Sequence, residues 1–389
     1  MNNQDKNVAI IYHYLAHYRE PIFSEICKEN SSVKYTIFSD KISNIKNLVT
    51  IDPNKSETTI NWEFIVNKWF FNKYLWQKGL ITVCLNKKFD SIIFLGNPYF
   101  ISTWLGVILA KLMGKRVFMW THGFLRYEKN LIGFIRLIFY RLSDGLFVYG
   151  NRAKEILVKK GYNKDRIHVL YNSLDFNKQI NNYSNIEISL LSSLKNKYFG
   201  NSNLPTILWI GRLVKDKKIE LIIHALKRLV ENHVHLNLLV IGDGPEKTSL
   251  IDLTKKLSLD KRVFFYGPCH DEEILAPLIT LSDLCVSPGP VGLTALHSMT
   301  YGVPVLTNNN FDKQKPEFEV IKPGITGDFF QENDLDDLCD KIKKWINVVN
   351  REQVAKNCQN VIHECWNPAY QKNLLEKVFT GNIGDGDNC

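Results

Sequence analysis

The chain has 389 residues, of which 45% are hydrophobic and 23% are charged. These values are typical of a globular protein and exclude a fibrous or wholly disordered chain. The formal net charge of +9 is unevenly placed: residues 1–180 hold 26 Lys and Arg against 14 Asp and Glu, a net +12, and the rest sums to −3. The basic half indicates either an anionic partner or an ordinary lysine-rich surface in contact with water.

Residues 1–178 are predicted to form a first α/β domain. Short apolar runs alternate with amphipathic segments, and this alternation is typical of a parallel sheet with helices on both faces. The predicted strands are residues 7–13, 33–38, 90–96, 115–120, 144–150 and 166–172.

A second α/β domain is predicted over residues 204–365. Before it, residues 179–203 are rich in Asn, Ser and Lys, which predicts a linker. We expect a helix over 366–380 that crosses back to the first domain, and a loose tail over 381–389. The strands predicted for the second domain are residues 206–212, 236–245, 262–268, 283–289 and 303–308.

The N-terminal sequence lacks the pattern of a secretory signal, and no apolar run approaches the about 18 residues of a membrane-spanning helix. We therefore expect a cytoplasmic protein. Two segments that mix apolar or aromatic residues with Lys or Arg, 62–78 and 130–141, favour a peripheral position on an anionic membrane surface, at the inner face of the plasma membrane. The alternative is that both are helices packed on the first sheet.

The sequence G-R-L-V-K-D-K at 211–217 offers two cations where a strand ends. Arg212 and Lys217 would grip a diphosphate and neutralise the charge of a departing nucleotide. An ordinary basic loop is the alternative. Gly242 and Gly244 follow another strand, where glycine permits a tight turn and the close approach of a nucleotide.

A Gly- and Pro-rich loop at 287–292 leads into another predicted helix. The amides of Gly292, Leu293 and Thr294 would lie at the helix N-terminus, where anions bind. His297 lies one turn further, as either a ligand or a structural residue.

Carboxylates are sparse in these motifs. Glu317 and Glu319 flank Phe318, and one of them would accept hydrogen bonds from ribose hydroxyls. The D-x-D sequence at 385–387 falls in the predicted tail, and neither H-E-x-x-H nor G-x-S-x-G occurs. We expect no metal and no cofactor, with Arg and Lys supplying the charge stabilisation.

Several motifs occur in an order that resembles the retaining glycosyltransferases of family 4, which have the GT-B fold. The first half resembles the family's acceptor domain through Y-R-E-P-I-F at 18–23 and W-T-H-G at 120–123. The motifs of the second half are G-R-L-x-x-x-K at 211–217, G-D-G-P at 242–245, V-x-F-x-G at 263–267, G-L-x-x-L at 292–296, Y-G-V-P-V at 301–305 and the Glu–Gly–Gly stretch at 319–327.

The resemblance implies two doubly wound, Rossmann-like α/β domains facing a central cleft. It implies that Gly211, Arg212 and Lys217 contact the donor diphosphate, together with the amides at 292–294. It also implies that His122 projects beside the donor sugar, and that residues Tyr18 and Arg19 lie on the acceptor side.

The activity implied is transfer, with retention of configuration, from a nucleotide-diphosphate sugar to a glycan acceptor. We favour a UDP-sugar as donor. A lipid-linked acceptor would suit assembly of a cell-surface polysaccharide such as O-antigen or capsule. We expect no nucleic acid among the partners.

The chain departs from the family at a spaced pair of glutamates, of which the first usually contacts the donor sugar and the second the ribose. Alignment on the Gly-Leu pair places Gly289 and His297 there, so the chain resembles a variant branch. His297 would then bind the ribose, or Glu317 or Glu319 would replace a lost carboxylate. Two alternatives stay open, a non-catalytic nucleotide-binding relative and a nucleotide-sugar epimerase on the same fold.

Overall fold

The computed structural model describes residues 6–41, 49–51, 60–128 and 130–381. The chain divides into two compact units, one formed by residues 1–174 with 367–389 and the other by residues 175–366. The D-x-D sequence and the predicted tail after residue 381 lie outside the described residues.

The first unit is built on a seven-stranded sheet in the order β3-β2-β1-β6-β7-β8-β9, and every recorded strand pair in it is parallel. The strands of this sheet are β1 (Lys6–Tyr14), β2 (Val33–Asp40), β3 (Trp62–Phe64), β6 (Ser91–Leu95), β7 (Arg116–Thr121), β8 (Gly145–Val148) and β9 (Ile167–Val169). Two further strands of the unit, β4 (Val66–Phe70) and β5 (Tyr74–Lys78), form a separate two-stranded sheet. The helices between them are α1 (Glu20–Ile26), α2 (Leu80–Leu85), α3 (Ile101–Leu112), α4 (Leu131–Arg141) and α5 (Asn151–Lys159).

The segment 62–78 forms strands, so its interpretation as a helix is wrong. Strands β4 and β5 make an antiparallel hairpin, and the turn between them has Phe71 and Asn72 at positive φ. Aromatic and β-branched residues dominate the segment, and such side chains favour extended backbone.

The second unit contains a parallel six-stranded sheet in the order β12-β11-β10-β13-β14-β15. Its helices are α6 (Phe176–Ser184), α7 (Ile188–Phe199), α8 (Glu220–Glu231), α9 (Lys247–Lys256), α10 (Glu272–Thr280), α11 (Thr294–Thr300), α12 (Leu335–Ile346) and α13 (Arg351–Cys365). Its strands are β10 (Thr206–Ile210), β11 (Asn237–Ile241), β12 (Val263–Gly267), β13 (Leu284–Ser287), β14 (Val305–Asn308) and β15 (Gly327–Phe330).

The predicted linker at 179–203 is wrong, because most of it lies in helices α6 and α7 of the second unit. The side chain of Asp175 accepts a hydrogen bond from the backbone N–H of Lys178 and so caps α6. Tyr198 of α7 packs on Phe264 of β12, with ring centroids 4.4 Å apart. The polar composition of this segment hid both helices from the sequence analysis. The division between the two units falls after residue 174, not after the predicted residue 178.

The last helix, α14 (Pro368–Thr380), belongs to the first unit. Its Leu375 and Phe379 join a buried cluster with Phe23 of α1 and Phe118 of β7. None of the helices described here is long and apolar enough to cross a membrane.

Candidate functional site

Three loops meet at the carboxyl edge of the second sheet, after β10, β11 and β13. Parallel strands bring their carboxyl ends to one edge, where α/β proteins bind ligands. The backbone N–H of Leu213 in the first loop donates to Asp243 O in the second, at 2.9 Å. The backbone N–H of Gly289 in the third loop donates to Lys217 O in the first, at 3.1 Å.

The predicted glycines of the first two loops lie where backbones touch. A Cβ atom added to Gly242 would lie 1.8 Å from Gly211 O, and one added to Gly244 would lie 2.3 Å from Leu213 O. Gly211 and Gly242 also have φ angles of +144° and +145°, which side chains disfavour. Packing between the loops therefore explains the need for glycine at 242 and 244, and the φ angle explains it at 211.

Gly289, which the resemblance to family 4 aligns with a glutamate, is restricted by the same kind of backbone contact. A Cβ atom there would lie 2.3 Å from Asp216 O and 2.7 Å from Lys217 Cα. In this structure the backbone of the first loop fills the space that a glutamate side chain would need.

Lys217 is half-buried beside these contacts, and its Nζ donates a hydrogen bond to Pro290 O. Burial lowers the pKa of Lys217, with opposing influences from Asp216 and Glu317 and a further lowering from Lys315. Arg212, in contrast, is exposed, and no acidic side chain within the described ranges forms an ion pair with it.

Side chains that the sequence analysis missed hold the third loop in place. Thr307 Oγ1 donates to Ser287 O at 2.7 Å, and Asn308 Nδ2 donates to Pro288 O at 2.7 Å. Gln314, which is buried, accepts from the backbone N–H of Val291 at 2.9 Å. The sequence signal for these contacts is the polar pair of Thr307 and Asn308 at the end of an apolar strand, because buried polar groups need hydrogen-bond partners.

The predicted anion-binding amides lie at the start of α11. Gly292 has a φ of +57°, and Leu293 is the N-cap of the helix. Thr294 Oγ1 donates to Ile210 O at 3.1 Å, which ties the first turn of α11 to the end of β10. Residues 292–294 therefore lie beside Gly211.

His297 is engaged by a carboxylate that the sequence analysis did not single out. Its Nε2 lies 2.8 Å from Glu272 Oε1, and the hydroxyl of Tyr301 donates to the same oxygen at 2.7 Å. Burial raises the pKa of Glu272, but the hydrogen bonds of His297 and Tyr301 outweigh it and lower the pKa to about 2. A carboxylate from α10 thus lies beside His297, which the resemblance to family 4 aligns with the second glutamate.

Glu317 and Glu319 lie in a short 3-10 helix, Pro316–Val320. Glu317 is only 4% exposed and is close enough to Lys217 to affect the pKa of that amine, whereas Glu319 is half-buried. Between them, Phe318 stacks on Phe311 with ring centroids 4.7 Å apart.

The remaining predicted residues form a separate group in the first unit. Arg19 is buried: its guanidinium lies 5.0 Å from the ring centroid of Tyr149 and 5.5 Å from that of Trp120, and its Nη2 donates to the Tyr149 hydroxyl. Exposed His122 contacts the same tyrosine, with centroids 4.7 Å apart. Tyr18 is half-buried and precedes Arg19.

Within the described ranges, no three His, Cys, Asp or Glu side chains are grouped in a way that would hold a metal ion. The cations Arg212 and Lys217 lie on the first loop, whose backbone contacts Gly242, Gly244 and Gly289. Such an arrangement suits an anionic ligand.

Comparison with known proteins shows what the second unit is similar to. Residues 192–361 match the family model described as "Glycosyl transferases group 1". N-acetyl-alpha-D-glucosaminyl L-malate synthase of Bacillus anthracis is 27% identical over 193 residues, 49% of this chain and 47% of that protein. The O-antigen biosynthesis glycosyltransferase WclY of Escherichia coli is 31% identical over 119 residues, 29% of this chain and 33% of that protein. The chain thus spans less than half the length of these two curated relatives.

Solved structures match nearly the whole chain. The structure of Anabaena HepE in complex with UDP has a TM-score of 0.73 at 17% identity and covers 97% of this chain and 100% of that one. The lipopolysaccharide outer core galactosyltransferase WaaB has a TM-score of 0.68 at 18% identity, with 96% and 99% covered. The predicted α/β fold with two Rossmann-like domains is confirmed as GT-B.

We predict that Gly289→Ala lowers the free energy of unfolding by about 2 kcal/mol, because overpacking a tight contact costs about 1–3 kcal/mol. Urea denaturation measures the change. Gly200→Ala is the control: an added Cβ there meets no atom within 4 Å, and the cost is only that of a positive φ, about 1 kcal/mol. Equal losses of unfolding free energy in the two variants would contradict close packing around position 289.

A pH-dependent difference is expected for Glu272→Gln. The pKa of Glu272 falls from an ordinary 4.5 to about 2 on folding, so ionisation of Glu272 stabilises the chain fully above pH 4.5 and progressively less as the pH falls toward 2. The wild type should therefore have a higher melting temperature than Glu272→Gln at pH 7, with the difference shrinking below pH 4.5. A difference that is constant from pH 7 to pH 3 would rule out this role of the carboxylate.

Proposed function

We propose that the protein is a retaining glycosyltransferase that uses a UDP-sugar as donor, bound by the second unit. One observation carries the proposal: Lys217 and Arg212 lie on the loop whose backbone contacts the glycine-containing loops at the carboxyl edge of the sheet. The group 1 glycosyltransferase match over 192–361 and the UDP complex of HepE support it.

In the proposed reaction, the bond between the anomeric carbon and the β-phosphate oxygen of the donor breaks. An acceptor hydroxyl forms the new bond on the same face, and its proton passes to the departing phosphate. Arg212 and Lys217 stabilise the negative charge that develops on this leaving group, in place of a metal ion. Lys217 is already fixed by its hydrogen bond to Pro290, so little reorganisation accompanies the charge change.

The first unit is proposed to bind a glycan acceptor near Tyr18, Arg19 and His122. Tyr149 and Trp120 are buried and hold Arg19 in place, so half-buried Tyr18 and exposed His122 are the side chains of this group that a sugar would contact. The similarity to WclY supports a role in O-antigen or other cell-surface polysaccharide assembly, with a lipid-linked acceptor presented at the cytoplasmic face of a membrane.

A non-catalytic nucleotide-binding protein is the second candidate, because position 289 has no room for the family's first glutamate. An epimerase is less well supported, because that chemistry needs carboxylates around the donor sugar. Neither Gly289 nor His297 supplies one, although Glu272 lies next to His297.

Arg212→Ala is expected to lower turnover by about 100-fold or more, the usual loss when one preorganised charge-stabilising donor is removed. Release of UDP from a UDP-sugar in the presence of lipid-linked glycan acceptors measures it. Lys215→Ala removes an exposed cation from the same loop and should change turnover by about twofold or less. Near-normal turnover of Arg212→Ala would contradict the proposed role.

Retention predicts that an α-configured UDP-sugar yields an α-linked product, which the coupling constant of the anomeric proton reports by NMR. Addition of EDTA should leave the rate unchanged, because side chains provide the charge stabilisation. A β-linked product, or loss of activity with EDTA, would refute that part of the mechanism. An epimerised donor would favour the epimerase, and nucleotide binding without turnover would favour the non-catalytic protein.

A further inference from the structure

Helix α3 in the first unit has an inverted distribution of side chains. Of its five buried residues only Val107 is large and apolar; the others are Ser102, Thr103, Gly106 and Ala110. The buried face is small because α2 lies close: a Cβ atom on Gly106 would lie 2.5 Å from a methyl group of Leu80. Four large apolar side chains are exposed instead: Ile101, Leu105, Ile108 and Leu112.

Those four residues recur at helical spacing and share one face of α3. Leu112, at its end, is 78% exposed. An ordinary surface helix turns its polar residues outward, and contiguous exposed apolar surface marks a contact with a partner or a membrane.

Helix α4 also exposes large apolar side chains, although its buried face includes two large aromatic residues. It buries Gly133, Phe139 and Tyr140, and Leu131 at its start is 72% exposed. The exposed apolar residues of α4 are Leu131, Ile132, Phe134, Ile135 and Ile138.

The two helices are neighbours. Trp104 of α3 packs on Phe139 of α4, with ring centroids 4.7 Å apart. The exposed apolar residues of α3 and α4 together are called the apolar surface here.

Positive charge accompanies the apolar surface. Residues 101–141 contain seven Lys and Arg and a single acidic residue, Glu128, a net +6. Arg126, 66% exposed, lies between the two helices in sequence, and Arg136 and Arg141 lie on α4. Glu128 pairs with Arg136 at 3.1 Å, Asp144 pairs with Lys111 at 2.7 Å, and Lys115 is buried. Arg116 and Arg141 are exposed, as Arg126 is.

We propose that the apolar surface binds the headgroup–acyl boundary of an anionic lipid bilayer. Apolar side chains would enter the boundary and the surrounding cations would attract anionic headgroups, the two contributions that bind interfacial helices. A second copy of the chain is disfavoured as occupant, because a symmetric interface would bring the same net positive segments together. The proposal extends the proposed function by giving access to a lipid-linked acceptor, but binding itself requires no sugar transfer.

Vesicle co-sedimentation of the full chain tests the proposal. The wild type should bind vesicles of phosphatidylcholine with phosphatidylglycerol, and bind vesicles of phosphatidylcholine alone at least about fivefold more weakly, since each cation near an anionic surface contributes about that factor. Equal binding to both vesicles, or binding to neither, would overturn it.

The variant Leu112→Ser/Leu131→Ser should lower the partition coefficient by about tenfold or more, because two large apolar side chains are lost from the boundary. Ile188→Ser/Val349→Ser is the matched control: these residues of the second unit are 82% and 100% exposed, and binding should be unchanged. The melting temperature and its rise with UDP should be the same in both variants. Loss of vesicle binding is thereby distinguished from loss of the nucleotide binding that the proposed function requires.

Two results would overturn the assignment of the apolar surface. One is an equal loss of vesicle binding in the variant and its control. The other is a wild-type dimer that light scattering shows to dissociate in Leu112→Ser/Leu131→Ser, with vesicle binding unchanged.

Discussion

Close backbone contact between three loops constrains the candidate site of the second unit. Gly242 lies against Gly211, Gly244 against Leu213, and Gly289 against Asp216 and Lys217. Close packing leaves no volume for added atoms at these points. The cations of the first loop are therefore held by backbone geometry, with Thr307, Asn308 and Gln314 fixing the third loop from behind.

That constraint applies to position 289, which the resemblance to family 4 aligns with a glutamate. A side chain at 289 would displace the loop that carries Lys217, so the cation and a glutamate at 289 are incompatible in this conformation. At the second position, His297 shares a hydrogen-bonded cluster with Glu272 and Tyr301. A carboxylate is thus retained near α11, supplied by the preceding helix.

The sequence analysis predicted the described parallel strands of both sheets except β3 and β15, since buried strands give continuous apolar runs that composition reveals. It also singled out Arg212, Lys217 and Gly242. It missed Glu272 and Gln314, because a side chain that acts through a contact distant in sequence leaves no local pattern. Helices α6 and α7 were missed because tertiary packing, such as Tyr198 on Phe264, outweighs weak local propensity. The inversion of α3 was hidden because a helix that is apolar all round does not show which face is buried.

Nucleotide-induced thermal stabilisation tests whether the second unit binds a UDP-sugar through Arg212 and Lys217. A ligand that binds only the folded chain raises stability by about 2.7 kcal/mol at a hundred times its Kd. With UDP, GDP, dTDP and ADP compared, the account predicts the largest rise in melting temperature for UDP, and loss of that rise in Arg212→Ala. No rise with any of the four nucleotides, or an undiminished rise with UDP in Arg212→Ala, would contradict it.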